Sequence, residues 1–467
     1  MDTKKYDIIV IGSGPGGYVA SIRAAQLGFK VAIIEKESLG GICLNWGCIP
    51  TKALLKSAEV YNKMKHAADY GLIADQISFN FEAVIDRSRG VAEKMSKGIE
   101  FLMRKNNIEV IKGFGKLTGD KKVAVIHEGQ TIHVEADHII IATGARAKEL
   151  PNIKIDNKKI ISYRLALSSK KLPKKLVVVG AGAIGVEFAW FFNSFGTEVT
   201  IVEYMEQGLL PREDNEISKA LARSFKKVGI KVMANSKVEE IRDNGEYSVV
   251  CIRNRKNEKL EEIDAEIVLS AAGISPNTEE LGLLEAGITV KEGFIEVDDH
   301  YQTSVPGIYA IGDVINTPAL AHVASAEGIH CVEFIKGMEV HAINYKNIPS
   351  NTYCSPEVAS MGLTEEEAKA AGHELKIGKF PFSASGKASA AGDNDGFVKL
   401  IFDAKYGELL GAHMIGSNVT EMIAELILAK TGEVTAHEII KSIHPHPTMS
   451  EAVMEAAAAA YDEVIHI

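Results

Sequence analysis

The sequence predicts an α/β chain with two halves built around glycine-rich strand-to-helix turns, and a separate α+β domain toward the C-terminus. Three observations carry this. A glycine turn beginning at Gly12 follows an apolar run and opens a helix; the same unit returns at Gly180; and from about residue 347 strands and amphipathic helices alternate.

The 467 residues, 46% hydrophobic and 24% charged, are enough for a globular chain of about three or four domains. Net charge is −10, and no run of Lys and Arg carries interleaved aromatics, which argues against a nucleic-acid partner. The run Ile8-Ile9-Val10-Ile11 ends at Gly12, too short for a signal-peptide core or a membrane span. With no export signal, a reducing compartment and a cytoplasmic location are expected, although a chain whose transit peptide had been removed would read the same. Five cysteines are too few and too scattered for a secreted disulfide framework.

Residues 6–35 read as strand, glycine turn, helix from Tyr18 to Leu27, strand. Gly12 permits the tight turn, Gly14 lets backbone approach a pyrophosphate, Gly17 packs helix on strand, and Glu35 ends the second strand where it can hold ribose hydroxyls. In the second copy Gly180, Gly182, Gly185 and Glu203 take the same places. The intervals Gly12 to Glu35 and Gly180 to Glu203 are both 23 positions. Two Rossmann-like domains for two separate dinucleotides are therefore expected.

After the first unit comes Gly40-Gly41-Ile42-Cys43-Leu44-Asn45-Trp46-Gly47-Cys48-Ile49-Pro50-Thr51-Lys52. On an ideal helix five positions span about 7.5 Å of rise, whereas a disulfide wants its Cα atoms about 4.4–6.8 Å apart, so a closed pair requires a distorted turn. Gly47 gives that freedom. Pro50 suits the first turn of a following helix, whose N-terminus favours a thiolate. The pair reads as a redox-active disulfide. A structural disulfide, two unrelated core cysteines, or half of a zinc site completed by His444 and His446 are the alternatives.

Residues 53–105 are expected to be largely helical, as packing helices of the first domain. Strands follow from Ile108 to Ile141-Ala142-Thr143-Gly144, where the chain crosses into the second nucleotide domain; it returns near residue 270 through a run ending at Gly273. Asp313 closes the run Ile308-Tyr309-Ala310-Ile311-Gly312, and by spacing alone it is more often a turn or cap residue. Near the C-terminus, His444-Pro445-His446-Pro447 precedes Ser450 and Glu451, which open an Ala-rich helix. Taken alone, His446 is more often a surface histidine, but with Glu451 five positions on it can form an oriented acid/base pair.

Together these residues resemble the pyridine nucleotide-disulfide oxidoreductase family over essentially the whole chain, and within it the members that oxidise protein-bound dihydrolipoamide. The resemblance implies FAD on the first fingerprint, with Glu35 on the adenosine ribose, Asp313 near the ribityl chain, and Thr143 and Gly144 in a further FAD segment. It implies NAD on the second, and adds Gly273 to the cofactor-contacting residues. Lys52 is expected to pair with Glu187 beside the flavin, and no metal is expected. His446, oriented by Glu451, would deprotonate a substrate thiol that attacks Cys43, leaving Cys48 as the thiolate against the flavin. The implied domains are FAD-binding (1–147), NAD-binding (148–272), a central return to the first (273–346) and a dimerisation domain (347–467). The implied assembly is a homodimer served by a lipoyl domain of a 2-oxoacid dehydrogenase complex or the glycine cleavage H protein, with neither membrane nor nucleic acid.

Two departures stand out: the run from Gly273 to Asn277 lacks the arginine many relatives carry there, and Pro445 replaces a common Ala. Glutathione reductases use NADPH and place arginines soon after the second motif's last strand, whereas Glu203 is followed by Tyr204, Met205, Glu206 and Gln207, which would repel a 2′-phosphate. Mercuric reductases end in a cysteine pair; this sequence ends Tyr461 to Ile467 without one. From another class, a zinc-stabilised nucleotide-binding protein remains an alternative.

Overall fold

Runs of β-branched residues set the parallel strands of two sheets. In the computed structural model, which describes residues 4–119 and 121–467, Ile8 to Ile11, Val31 to Ile34 and Ile139 to Ile141 are all buried, as expected where helices cover both faces of a parallel sheet. Strands β1 (Lys4–Ile11) and β2 (Val31–Glu35) flank helix α1 (Pro15–Gln26). Helices α2 (Gly41–Trp46), α3 (Cys48–Lys65) and α4 (Phe81–Lys105) follow. Strands β3 (Glu109–Lys112), β4 (Phe114–Leu117), β5 (Lys122–His127) and β6 (Gln130–Ile141) complete the sheet order β3-β2-β1-β6-β5-β4, with Ile308–Ala310 added parallel to β6. Ile9 pairs with Ala32 on one side and Ile139 on the other.

The chain divides into two compact units: residues 1–54, 82–148 and 274–345, and residues 55–81, 149–273 and 346–467. The first is organised on the sheet just described. The second holds a parallel five-stranded sheet with Lys175–Val179 at its centre, an antiparallel three-stranded sheet, and a C-terminal antiparallel five-stranded sheet whose central strands Phe397–Asp403 and Leu409–Gly416 are wholly buried. This is the α/β architecture the two glycine units and the changed C-terminal pattern predict.

Two local expectations are corrected. Helix α1 starts inside the glycine motif, at Pro15 rather than Tyr18, because proline at the first helical position costs no hydrogen bond. Residues 55–81 group with the second unit rather than with the first nucleotide domain. Asn62 donates to Ser194 Oγ (2.9 Å), and Tyr61 stacks on Phe195 with ring centroids 5.4 Å apart. Among the described residues no helix is long and apolar enough to cross a membrane.

Candidate active site

The two cysteines lie on either side of a helix break. Cys43 is in α2 and Cys48 is the first residue of α3, with Gly47 between them at φ −145°, ψ −116°. A Cβ on Gly47 would stand 3.1 Å from the Ile42 carbonyl oxygen, so the chain folds back tightly there. Asn45 holds the turn by donating to the carbonyls of Leu39 (2.9 Å) and Gly41 (3.0 Å), and Thr51 Oγ1 donates to Gly47 O (2.7 Å). The cysteines are free thiols, Cys43 half-buried and Cys48 exposed, with their side chains hydrogen-bonded. That hydrogen bond, with burial, raises the Cys43 pKa far above that of an ordinary thiol, against a smaller lowering by the Lys52 charge.

The redox turn sits directly on the first nucleotide turn. Gly40 N donates to Ser13 O (3.0 Å), and a Cβ on Gly41 would come within 2.6 Å of Gly14 Cα. The two fingerprints match atom for atom. A Cβ on Gly12 or Gly180 would lie 2.3 or 2.5 Å from the carbonyl oxygen of Ala142 or Ala271, and both residues have φ near +100°. A Cβ on Gly17 or Gly185 would strike the carbonyl of Gly12 or Gly180 at 1.9 or 2.0 Å. Gly14 and Gly182 face open space, with nothing within 4 Å, at the start of helices whose first amides have no intrahelical acceptor. Glu35 accepts from Ser13 N (3.0 Å) and Glu37 N (2.8 Å); Glu203 accepts from Ala181 N (2.7 Å) and Met205 N (2.8 Å). Both carboxylates are thus fixed; Glu35, which also accepts from Ser13 Oγ (2.6 Å), keeps a lone pair on Oε1 and Glu203 one on each oxygen for ribose hydroxyls. The residues fit two dinucleotides.

In the first unit, Thr143 and Gly144 are tied to Asn277 by three hydrogen bonds. Thr143 Oγ1 donates to Asn277 O (2.8 Å), Asn277 Nδ2 donates to Thr143 O (2.9 Å), and Asn277 N donates to Gly144 O (2.9 Å). Asp313 lies in the short turn Gly312–Val314. Burial raises its pKa. Gly273 sits at φ +109° just before the short strand Ile274–Pro276. Lys52 follows Cys48 by one turn on α3. Glu187 is buried on helix Ala183–Ser194 and accepts from Tyr353 N (3.0 Å).

In the second unit, His446 Nδ1 lies 2.8 Å from Glu451 Oε1. A carboxylate can only accept, so Nδ1 carries the proton and Nε2 is left as a base. Glu451, the first residue of helix Glu451–Ala459, also accepts from Thr448 N (2.8 Å). Burial alone would raise its pKa, but this amide and the imidazole outweigh burial and hold it below the usual carboxylate range. The His446 side chain is 78% exposed. His444 meets Glu425 Oε1 through Nε2 (2.7 Å) and Ser442 O through Nδ1 (3.1 Å). Both nitrogens are engaged, which removes it as the zinc ligand of the alternative reading.

A family model described as pyridine nucleotide-disulphide oxidoreductase matches residues 6–328, spanning both fingerprints and the cysteine pair. The chain belongs to this family. The model for the dimerisation domain of the pyridine nucleotide-disulphide oxidoreductases matches residues 348–457, which include His446 and Glu451. The dihydrolipoyl dehydrogenase of Zymomonas mobilis is 50% identical over 463 residues, covering 99% of each chain, and that of Rhizobium etli is 46% identical over 481, again covering 99% of each. The crystal structure of LpdA from Mycobacterium tuberculosis superposes with a TM-score of 0.90 at 26% identity, covering 97% of this chain and 99% of that one. The FAD and NAD expected for the two fingerprints are the cofactors of these oxidoreductases.

Two residues were not anticipated. Glu327, wholly buried in helix Ala321–Ile335, accepts from Gly312 N (2.6 Å) and from Tyr345 Oη (2.8 Å), and so fixes the turn that carries Asp313. Its one sequence signal is a carboxylate within an apolar helix. Arg255, far along the chain, brings its guanidinium carbon 3.6 Å from the centre of the Tyr204 ring, immediately after Glu203. No local motif marks it.

Proposed function

We propose that this chain oxidises protein-bound dihydrolipoamide to lipoamide with reduction of NAD+ to NADH, as a cytoplasmic homodimer. The observation that carries the reading is the pair of contacting thiols at Cys43 and Cys48, on a turn resting against the nucleotide turn at Ser13 and Gly14. The names of the 46–50% identical relatives favour lipoamide as substrate. Its carrier is then a lipoyl domain of a 2-oxoacid dehydrogenase complex or the glycine cleavage H protein.

Bound FAD and NAD supply the relay that turns an electron pair from sulfur into a nicotinamide hydride. The chain's own residues do the rest. His446 Nε2 takes the proton of one substrate thiol; the thiolate attacks Cys43 Sγ, the Cys43–Cys48 bond breaks, and Cys48 leaves as a thiolate. The second substrate thiol then displaces Cys43, which keeps that proton. Two electrons have passed from substrate to protein, and the two protons rest on His446 and Cys43. Glu451 orients the imidazole and stabilises its cation. Lys52, one turn after Cys48, supplies a positive charge that favours a thiolate in the pair.

We further place His446 and Glu451 of one subunit at the cysteine pair of its partner. They fall within the dimerisation-domain match, His446 is exposed, and Ile443 beside it is 99% exposed, as an interface isoleucine would be in a separated subunit. Anaerobic titration with dihydrolipoamide tests the function: a long-wavelength thiolate-to-flavin band is expected, lost in Cys48→Ser and kept in Cys43→Ser, and NAD+ should then yield one NADH per dithiol. Turnover of NADPH with glutathione disulfide, and none with dihydrolipoamide and NAD+, would overturn it.

A further inference from the structure

Helix α4 grips the redox segment at several points. Ser88, fully buried, donates through Oγ to Pro50 O (2.9 Å), and Arg87 Nη1 donates to Ala53 O (2.8 Å), both on the first turns of α3. Arg89 lays its guanidinium 4.2 Å above the Trp46 ring, on the other side of Cys48. Two turns further on, Ser96 Oγ donates to Leu39 O (2.8 Å), the carbonyl that also holds Asn45. The contacts of residues 87–89 therefore bracket Cys48 from both sides. Arg89 Nη1 is shut off from solvent without a hydrogen-bond partner among the described residues, so the stack on Trp46 is maintained at the cost of a buried donor.

We infer that Ser88 and Arg89 are positioning residues of the redox pair. They clamp Trp46 and the start of α3 so that Cys48 remains against Cys43 when both are thiols, and so hold the pair's reduction potential down. The physical reason is effective concentration. A disulfide re-forms more readily the less its thiols separate on reduction, so a stiffer dithiol is a better reductant. Loosening the clamp lets the thiols part and favours the dithiol. Loss of a nearby positive charge would act the other way, by destabilising a thiolate. The direction of the shift therefore distinguishes clamping from charge.

The test is equilibration of the holoenzyme in glutathione buffers, followed by acid quench and alkylation of free cysteines. The Cys43–Cys48 disulfide and two glutathione thiols give the two protein thiols and glutathione disulfide. One S–S bond breaks and one forms, with two electrons and two protons passing to the protein. Both Ser88→Ala and Arg89→Leu are expected to move this equilibrium about three- to tenfold toward the protein dithiol, tenfold being about 30 mV for a two-electron couple. Flavin content and the rate of flavin reduction by NADH verify that each variant is folded, and Arg89→Lys replaces Arg89→Leu if the latter does not accumulate. No shift in either variant, a shift toward the disulfide, or a shift at Arg89 alone would overturn the inference. The inference rests on the redox reading of the pair, whose failure looks different: wild-type cysteines would remain alkylatable in fully oxidising buffer.

Discussion

Removing the Glu203 carboxylate is expected to weaken the selection of NADH over NADPH. Glu203 follows strand Glu198–Val202 and is buried, its two oxygens fixed by Ala181 N and Met205 N at 2.7 and 2.8 Å. Each oxygen retains a lone pair, so the group can accept both ribose hydroxyls without moving. Hydrogen bonds to a charged group are worth about 1.5–3 kcal/mol each. Glu203→Ala, whose freed amides can take water, should thus cost about 3 kcal/mol or more of NADH binding in the transition state, at least roughly 150-fold in kcat/KM. For NADPH the change has the opposite sign. The carboxylate that repels a 2′-phosphate is gone, while Arg255 stays over Tyr204 with donors beyond the one it gives Tyr204 O (3.0 Å). A gain of about tenfold is expected from one such charge-assisted contact, and Arg255→Ala in the Glu203→Ala background should abolish it. Stopped-flow reduction of the bound flavin by NADH and by NADPH is the assay, because it involves no lipoyl substrate. A preference within threefold of wild type would refute the argument, showing that the carboxylate only braces its own turn.

Two other outcomes are expected from the geometry. Mixing inactive Cys48→Ser subunits with inactive His446→Gln subunits should restore activity on subunit exchange, since a mixed dimer with shared sites carries one site with both lesions and one with neither; no recovery despite exchange confirmed by mass means that each chain supplies its own histidine. In the second unit, Lys399, whose side chain is 1% exposed, sits 3.0 Å from Asp214, 3.0 Å from Glu216 and 2.7 Å from Glu365. Lys399→Met leaves Asp214 buried without its counter-charge and should destabilise the unit by about 3 kcal/mol, read as a lower thermal midpoint. Burial opposes the charged forms of Asp214 and Glu216, but their partners outweigh it; for Glu365 the bonds to Lys369 and Lys399 are the leading cause, and all three pKa values are lowered. Their contribution is therefore present above the ordinary carboxylate range and lost as pH falls through the depressed values. The wild-type midpoint should drop below about pH 4.5 more steeply than that of Lys399→Met; parallel acid limbs would show that the cluster contributes nothing.

The parts of the site that were legible in the sequence are those whose partners lie close along the chain. The glycine turns and their acids repeat at a fixed interval, Cys43 and Cys48 are separated by one turn, and His446 and Glu451 by another, so backbone geometry alone relates them. Glu327, Arg255, Ser88 and Arg89 act on elements reached only through the tertiary fold. Nothing in the run from Ala321 to Ile335 shows that its one fully buried carboxylate meets Gly312 N and Tyr345. Reading only the four residues after Glu203 likewise missed a guanidinium delivered from strand Ser248–Asn254 and the turn beyond it. Residues 55–81 were misplaced for the same reason. Helical periodicity shows which face is apolar, but not which unit covers it.

The two halves also show how one backbone device serves two ends. After Glu35 the chain comes back over its own glycine turn, with Gly40 N donating to Ser13 O (3.0 Å); after Glu203 it does the same, with Leu210 N donating to Ala181 O (2.9 Å). Ser13 and Ala181 occupy the same position of the two fingerprints, and both returning residues have positive φ. Beyond the return the two halves diverge. In the first half Gly41 is pressed against Gly14, where any side chain would push the turn away, and the next residues carry Cys43 and Cys48 beside the phosphate-binding backbone. In the second half the return leads to Asp214, the cap of helix Asn215–Lys227 and a partner of Lys399. The dinucleotide turns themselves do not tell the halves apart. The assignment of sulfur chemistry to the first therefore rests on the residues that come after this return, and a bulky side chain at Gly41 would disturb the cysteine pair and the nucleotide turn together.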